Sequence, residues 1–212
     1  MELLKKTAEN LEKNNFKTFI VKSKEEVYGI VKSLVKKDSV IGFGGSESLK
    51  ETAVLDLLEQ DGYTLLDRRK EGADVNKIYR DIFSADFFLC SSNAITEDGL
   101  LYNVDGNANR VAAITFGPEN VIIIAGRNKI VKNIDQAVKR VKEYVAPKNC
   151  VRLGLDTYCA KTGRCISLDK DISEPFSGCD SQKRICCDYV ISGRQRIKDR
   201  IKVILVNEEL GY

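Results

Sequence analysis

Val121-Ile122-Ile123-Ile124 sets four β-branched residues in a row, and Ala125-Gly126 closes the run. A strand built from it has no polar position to offer water, so it must be covered on both faces. That requirement selects a buried, mostly parallel sheet flanked by helices. Phe87-Phe88-Leu89-Cys90 and Ile201-Lys202-Val203-Ile204-Leu205-Val206 are further apolar runs of strand length, and 17–21, 39–42 and 63–66 are shorter ones. Between them, apolar residues recur at helical spacing: Leu3, Leu4, Ala8, Leu11; Val27, Ile30, Val31, Leu34; Leu49, Ala53, Val54, Leu57, Leu58; Ile134, Ala137, Val138, Val141, Val145. A further helix falls near 74–84. Ala146-Pro147 is expected to stop the helix before it, because proline pushes its predecessor out of the helical region.

The expected fold is therefore α/β, a mostly parallel sheet with flanking helices. The apolar run at 201–206 needs cover on both faces and returns to the main sheet. Residues 1–147 and 188–212 then form one domain, and 148–187, without periodicity, is a cysteine-rich insertion held by ligands rather than by a core. A chain of 212 residues buries enough surface to do without covalent staples. Its seven cysteines, six of them between Cys150 and Cys187, need another explanation.

No run approaches the ~20 apolar residues of a membrane span, and the opening residues are charged and amphipathic, so a cytoplasmic protein is expected. In a reducing cytosol, clustered cysteines serve as metal ligands or redox groups more often than as disulfides. The sequence contains no histidine. Ser-His-Asp and Cys-His nucleophiles are excluded, and any general acid or base must be Glu, Asp, Lys, Tyr or Cys. Cys159, Cys165, Cys179 and Cys186 fit an all-cysteine zinc site or an iron–sulfur cluster. A redox disulfide and free thiols are the alternatives, with Cys150 and Cys187 as spare ligands or resolving thiols. The 34 basic and 31 acidic residues are too balanced to imply nucleic acid. One stretch departs from that balance: 183–202 carries seven Lys or Arg against two Asp, a solvated face or a surface for an anionic ligand or acidic partner.

Gly42-Phe43-Gly44-Gly45-Ser46-Glu47-Ser48 joins a strand to a helix, either as a turn and cap or as an anion cradle. It matches neither the P-loop nor the dinucleotide fingerprint. After the strand at 87–90 comes a dense polar stretch, Ser91 to Arg110, in which Asp98-Gly99 turns a hairpin. Asn93, Glu97, Asp105, Asn109 and Arg110 are candidates for a pocket at the carboxyl edge of the sheet, and Asn103 belongs to the same stretch. Asn128 and Lys129 follow the strongest strand to the same edge, where a lysine meets a carboxylate or forms an imine with a carbonyl. The alternative is a solvated turn. Cys90 reads as a small core residue.

The succession Gly44-Gly45-Ser46-x-Ser48, Asn93-Ala94-Ile95-Thr96-Glu97-Asp98-Gly99, Asn103-x-Asp105-Gly106, Asn109-Arg110-Val111-Ala112, Gly117-Pro118 and Asn128-Lys129-Ile130-Val131 resembles the lactate-utilisation (LUD) domain family over nearly the whole chain. Ala146-Pro147 and Arg184-Ile185-Cys186 fit its single-domain, cysteine-bearing branch. In that branch the second and third cysteines stand close together, whereas here thirteen residues separate Cys165 from Cys179. The resemblance implies a fold similar to ribose-5-phosphate isomerase and CoA transferases, in bacterial systems that oxidise L-lactate to pyruvate.

The leading expectation is a crevice for a small carboxylate or phosphorylated ligand, built from 42–48, 91–110 and 126–129, beside a metal-holding insertion that relays electrons. One alternative is a non-enzymatic subunit that docks an iron–sulfur oxidoreductase through its basic stretch. The other is a stand-alone isomerase or acyl-transfer enzyme using Glu97 and Lys129, with Glu97 suggested by analogy of fold. Residue patterns do not decide between enzyme and subunit.

Overall fold

Helix α1 (Glu2–Lys13) turns Leu4, Ala8 and Leu11 to one side, and β1 (Lys17–Val21) follows it. The computed structural model describes residues 1–172 and 174–212. A single 3₁₀ turn leads into α2 (Val27–Leu34), and β2 (Val40–Phe43) comes next. The expected helix over 47–60 is divided into α3 (Glu47–Glu51) and α4 (Val54–Gln60). The break lies where the Thr52 hydroxyl donates back to the carbonyls of Ser48 and Leu49, both at 3.1 Å, and Ala53 takes a left-handed φ of 50°.

β3 (Thr64–Leu66), α5 (Val75–Asp81) and β4 (Phe87–Cys90) continue the alternation. The expected hairpin forms from β5 (Ala94–Thr96) and β6 (Leu101–Asp105). Its turn requires glycine, because Gly99 has φ 87° and a Cβ there would lie 2.6 Å from the backbone of Asn10. α6 (Asn109–Thr115), β7 (Asn120–Gly126), the short β8 (Ile130–Val131) and α7 (Ile134–Arg140) follow.

Pro147 does not end the helical run. One π turn, Val141–Val145, carries α7 into α8 (Ala146–Arg152), with Pro147 in its first turn. Proline is tolerated there because the π register, with the Ala146 N–H on the Val141 carbonyl, would pair position 147 with the Lys142 carbonyl, and that carbonyl accepts instead from the Cys165 amide at 2.9 Å. Residues 148–187 therefore begin inside a helix and continue through the short α9 (Tyr158–Thr162) and α10 (Ile166–Asp169); Ser173 in this segment lies outside the described residues. β9 (Asp188–Ser192), not foreseen in the sequence, and β10 (Ile201–Val206) complete the chain.

Six strands form a wholly parallel sheet in the order β1-β10-β7-β4-β2-β3. β10 returns to its interior, between β1 and β7, as its apolar pattern demands. A second, mixed sheet has the order β8-β5-β6-β9. Both faces of the main sheet are covered. Val121, Ile123 and Ala125 pack against α1, α6 and the small sheet, while Ile122 and Ile124 pack against α2 and α4. The far face of the small sheet meets α7 and the π turn through Tyr102, Ala137 and Val141. Among the described residues, no helix is long and apolar enough to cross a membrane.

Candidate functional site

Four neighbouring parallel strands, β7, β4, β2 and β3, end at a crevice of about 390 Å³ whose other walls come from the end of β6, the start of α6 and α8. Loops leaving adjacent strands diverge at such an edge, which is why open parallel sheets bind ligands there.

Arg110, near the start of α6, organises the floor. Its Nε donates to Asp105 Oδ1 at 2.9 Å, and its terminal nitrogens donate to the Ser91 and Val104 carbonyls, Asn103 Oδ1 and Asn93 Oδ1. Five donors meet five acceptors. Asp105 also accepts from the Val111 amide at 2.9 Å, and its ion pair with Arg110 leaves the two side chains 9% and 11% exposed. As a pocket residue, Arg110 presents a guanidinium whose hydrogen bonds are already complete. It holds Asn93 and Asp105 in place. Asn103 is wholly buried beneath it, with its Nδ2 unpaired.

Lys129 ends the single 3₁₀ turn between β7 and β8, and its side chain lines the crevice at only 4% exposure. Nζ donates to Ser91 Oγ at 3.0 Å. Burial, then the charges of Arg140 and Arg110, bring the amine from 10.5 down to about 7, while Glu51 and Cys90 act in the opposite sense. An amine so placed is substantially neutral at physiological pH and can act as nucleophile or base.

Gly45, Ser46, Asn93, Asp105, Asn109 and Arg110 share the crevice with Lys129. Gly44 lies just behind it, where an added Cβ would come within 3.1 Å of Arg110 Cδ and 3.3 Å of Cys90 Cβ. Glycine there lets the loop close onto the arginine stem. Ser46 caps α3 by accepting from the Leu49 amide at 3.3 Å. Two residues are directed elsewhere. Ser48 is buried and donates to the Leu210 carbonyl, and Asn128 holds the same C-terminal segment through Leu210 and Gly211.

Glu97 and Lys129 are not brought together. Glu97 follows the opposite end of β5, paired at 2.9 Å with Lys6 on α1, and does not line the crevice. Cys90 is wholly buried and its thiol is pushed up to about 12, as expected of a core residue.

Arg68, Tyr79, Arg152 and Tyr212, none of them singled out in the sequence, also line the crevice, together with Arg184 of the basic stretch. Arg68 follows β3 and donates to the Phe43 carbonyl at 3.1 Å, with its guanidinium over the Tyr79 ring. The carboxyl-edge rule applied to the strand at 63–66 would have found it. Arg152 binds Asn149 and the Tyr212 hydroxyl and stands 3.7 Å from Glu47. Arg184 donates to the carbonyls of Phe176, Cys179 and Cys186.

Cys159, Cys165, Cys179 and Cys186 all line one small cavity of about 20 Å³, backed by Tyr102, Lys142 and Tyr189. The donor set is pure thiol. Among the described residues, however, no three Cys, Asp or Glu are gathered closely enough to hold a metal ion. Cys150 approaches from α8, its Sγ 3.7 Å from that of Cys159. Their shared hydrogen bond draws the Cys159 thiol down to about 6 and pushes Cys150 up. Cys187 is exposed and stands outside this cavity.

No curated protein matches the chain in sequence. Among solved structures, it is similar to a DUF162 family protein from Deinococcus radiodurans, with TM-score 0.53 and 16% identity over 97% of each chain, a likeness that speaks for the fold alone. The sequence profile of the LUD domain matches residues 4–206, which span both sheets, the crevice and the cysteine cavity. The chain belongs to the LUD domain family, a family associated with lactate utilisation.

Proposed function

We propose that the crevice binds a small anion, a carboxylate or a phosphorylated molecule, and that the protein supports the oxidation of L-lactate or a related small carboxylate. One observation carries this reading. Arg68 and Arg184 line the same crevice, yet their hydrogen bonds go to neutral acceptors only, carbonyls and a hydroxyl. Asp105 is neutralised by Arg110, and Glu47 faces Arg152, so the remaining field is positive. A partly desolvated cationic site of this kind favours a carboxylate or phosphate through charge-assisted hydrogen bonds. Calorimetric titration with lactate, pyruvate, phosphorylated sugars and CoA esters tests it. The expected result is binding of at least one of these, weakened by salt and reduced about tenfold or more in Arg68→Gln, the loss of one charged hydrogen bond. Absence of binding by every one of them overturns it.

The cysteine cavity supports a second reading, in which Cys159, Cys165, Cys179 and Cys186 hold zinc or an iron–sulfur cluster. A cluster would supply electron transfer and zinc a structural tie. The shared cavity and the all-thiol donor set favour it. Anaerobic purification followed by iron, zinc and acid-labile sulfide analysis tests it. The metal found should be lost in Cys165→Ser, and metal-free protein counts against the site.

In the alternative reading, docking of an iron–sulfur oxidoreductase through the basic stretch, three of its cations are tied to neutral acceptors of the fold. Arg194 donates to the Lys13 carbonyl, Arg200 to three carbonyls around α6, and Lys202 to Asn120.

A further inference from the structure

We propose that Lys129 condenses with the carbonyl group of a small anionic carbonyl compound, such as a 2-oxo acid, to form an imine. The inference rests on the anion-binding reading of the crevice and adds covalent chemistry to it. Its ground is placement. Lys129 Nζ sits at the floor, open to the crevice, with one of its hydrogen bonds directed to Ser91 Oγ at 3.0 Å. The groups that face it are Ser91 and Cys90 from β4 and the loop after it, Arg110 from α6, Arg140 from α7 and Glu51 from α3. The two arginines oppose its protonation, and burial does so more strongly. Desolvation beside another cation is how an imine-forming lysine is kept nucleophilic. Arg68 and Arg184, in the walls, are the charges that would seat the anionic end of the same molecule. Arg110, with its donors already satisfied, holds the floor rather than the ligand.

The step balances without an oxidant or reductant. The nitrogen lone pair forms the C–N bond while the carbonyl π pair moves to oxygen. A proton passes from nitrogen to that oxygen by way of the Ser91 hydroxyl, giving a carbinolamine. The nitrogen lone pair then forms the C=N bond as the C–O bond breaks, the oxygen leaves as water after taking a proton from solvent, and the protonated imine so formed returns its N–H proton to solvent.

The test is reductive trapping on the full chain. Protein is incubated with pyruvate or with glycolaldehyde phosphate in the presence of cyanoborohydride, and the adduct is located by peptide mass mapping. The expected result is one dominant adduct on Lys129, formed with whichever probe carries the preferred anionic group and suppressed by excess lactate, an anion without a carbonyl. Its rate should level off above the neutral range, whereas labelling of exposed lysines keeps rising toward pH 10. Lys129→Met and Lys129→Arg should lose that adduct while keeping the wild-type circular dichroism spectrum. Because mapping of the wild-type protein decides the matter, a variant that misfolds does not block it. If calorimetry shows that pyruvate or glycolaldehyde phosphate binds but the adducts scatter over exposed lysines, the imine is overturned and the anion crevice stands. If no anion binds and no Lys129 adduct forms, both are overturned.

Discussion

Replacing Lys129 by methionine should make the protein more stable, and the structure sets the size of the gain. In the fold the amine loses its proton near pH 7, whereas in the unfolded chain it does so near 10.5. At 1.36 kcal/mol per unit, holding this lysine in the crevice floor costs roughly 5 kcal/mol well below pH 7 and roughly 4 kcal/mol at pH 7. Between pH 7 and 10.5 the unfolded chain binds the extra proton, so this contribution makes stability rise with pH across that window and vanish as a penalty above it. Methionine fills a similar volume without charge. Its gain is reduced by about 1 kcal/mol for the lost hydrogen bond to Ser91. Urea denaturation at pH 6, 7, 8.5 and 10 should therefore show Lys129→Met ahead by about 3 kcal/mol at neutral pH, with the difference shrinking as pH rises. A variant less stable than wild type at pH 7, or a difference independent of pH, would refute the reasoning. Either result would mean that Lys129 keeps its proton in the fold.

Arg110→Met leaves the Asp105 carboxylate and four other acceptors without their donor, and should lower the free energy of unfolding by about 3–5 kcal/mol in the same assay. Gly44→Ala drives a methyl against Arg110 and Cys90, and should cost about 1–3 kcal/mol and weaken anion binding together with stability. Glu97→Gln loses only its pair with the exposed Lys6, so calorimetric affinity for anions should match wild type. In native-state alkylation at pH 8 followed by mass mapping, exposed Cys187 should react first, and Cys90, buried with its thiol held near 12, should stay unmodified.

The main sheet was legible because its strands are continuous apolar runs, which only burial on both faces can satisfy; β4 and β10 begin and end where those runs do. The elements that escaped depend on partners distant in sequence. β9 is half-exposed and is a strand because β6 lies beside it, and the passage through Pro147 depends on a π turn that no residue pattern announces. The site divides along similar lines. Asn93, Asp105, Arg110 and Lys129 follow strands whose ends could be located, and the fold brings them to one crevice. Glu97 lies only a few residues from Asn93, yet β5 carries it to the opposite end of the strand, a separation that local patterning cannot express. Arg184 reaches the crevice from a segment without periodicity, so nothing in its neighbourhood fixed its direction.

The position of β10 governs how this chain can be assembled. Of the described strands β1 comes first in the sequence and β10 last, yet in the main sheet β1 pairs only with β10, Lys17 opposite Lys202. Translation therefore delivers β1 long before its partner, and β7 too waits with one edge bare. Closing the sheet is an event of high contact order, and slow by the loop entropy it must overcome. Until β10 emerges, an apolar nascent sheet stands with the edge of β7 unpaired and β1 detached, the state in which chaperone capture or aggregation competes with folding. A rearranged gene that places β10 after β1 through a crossover connection long enough to return the chain to the start of β1 would remove that delay while keeping the parallel pairing.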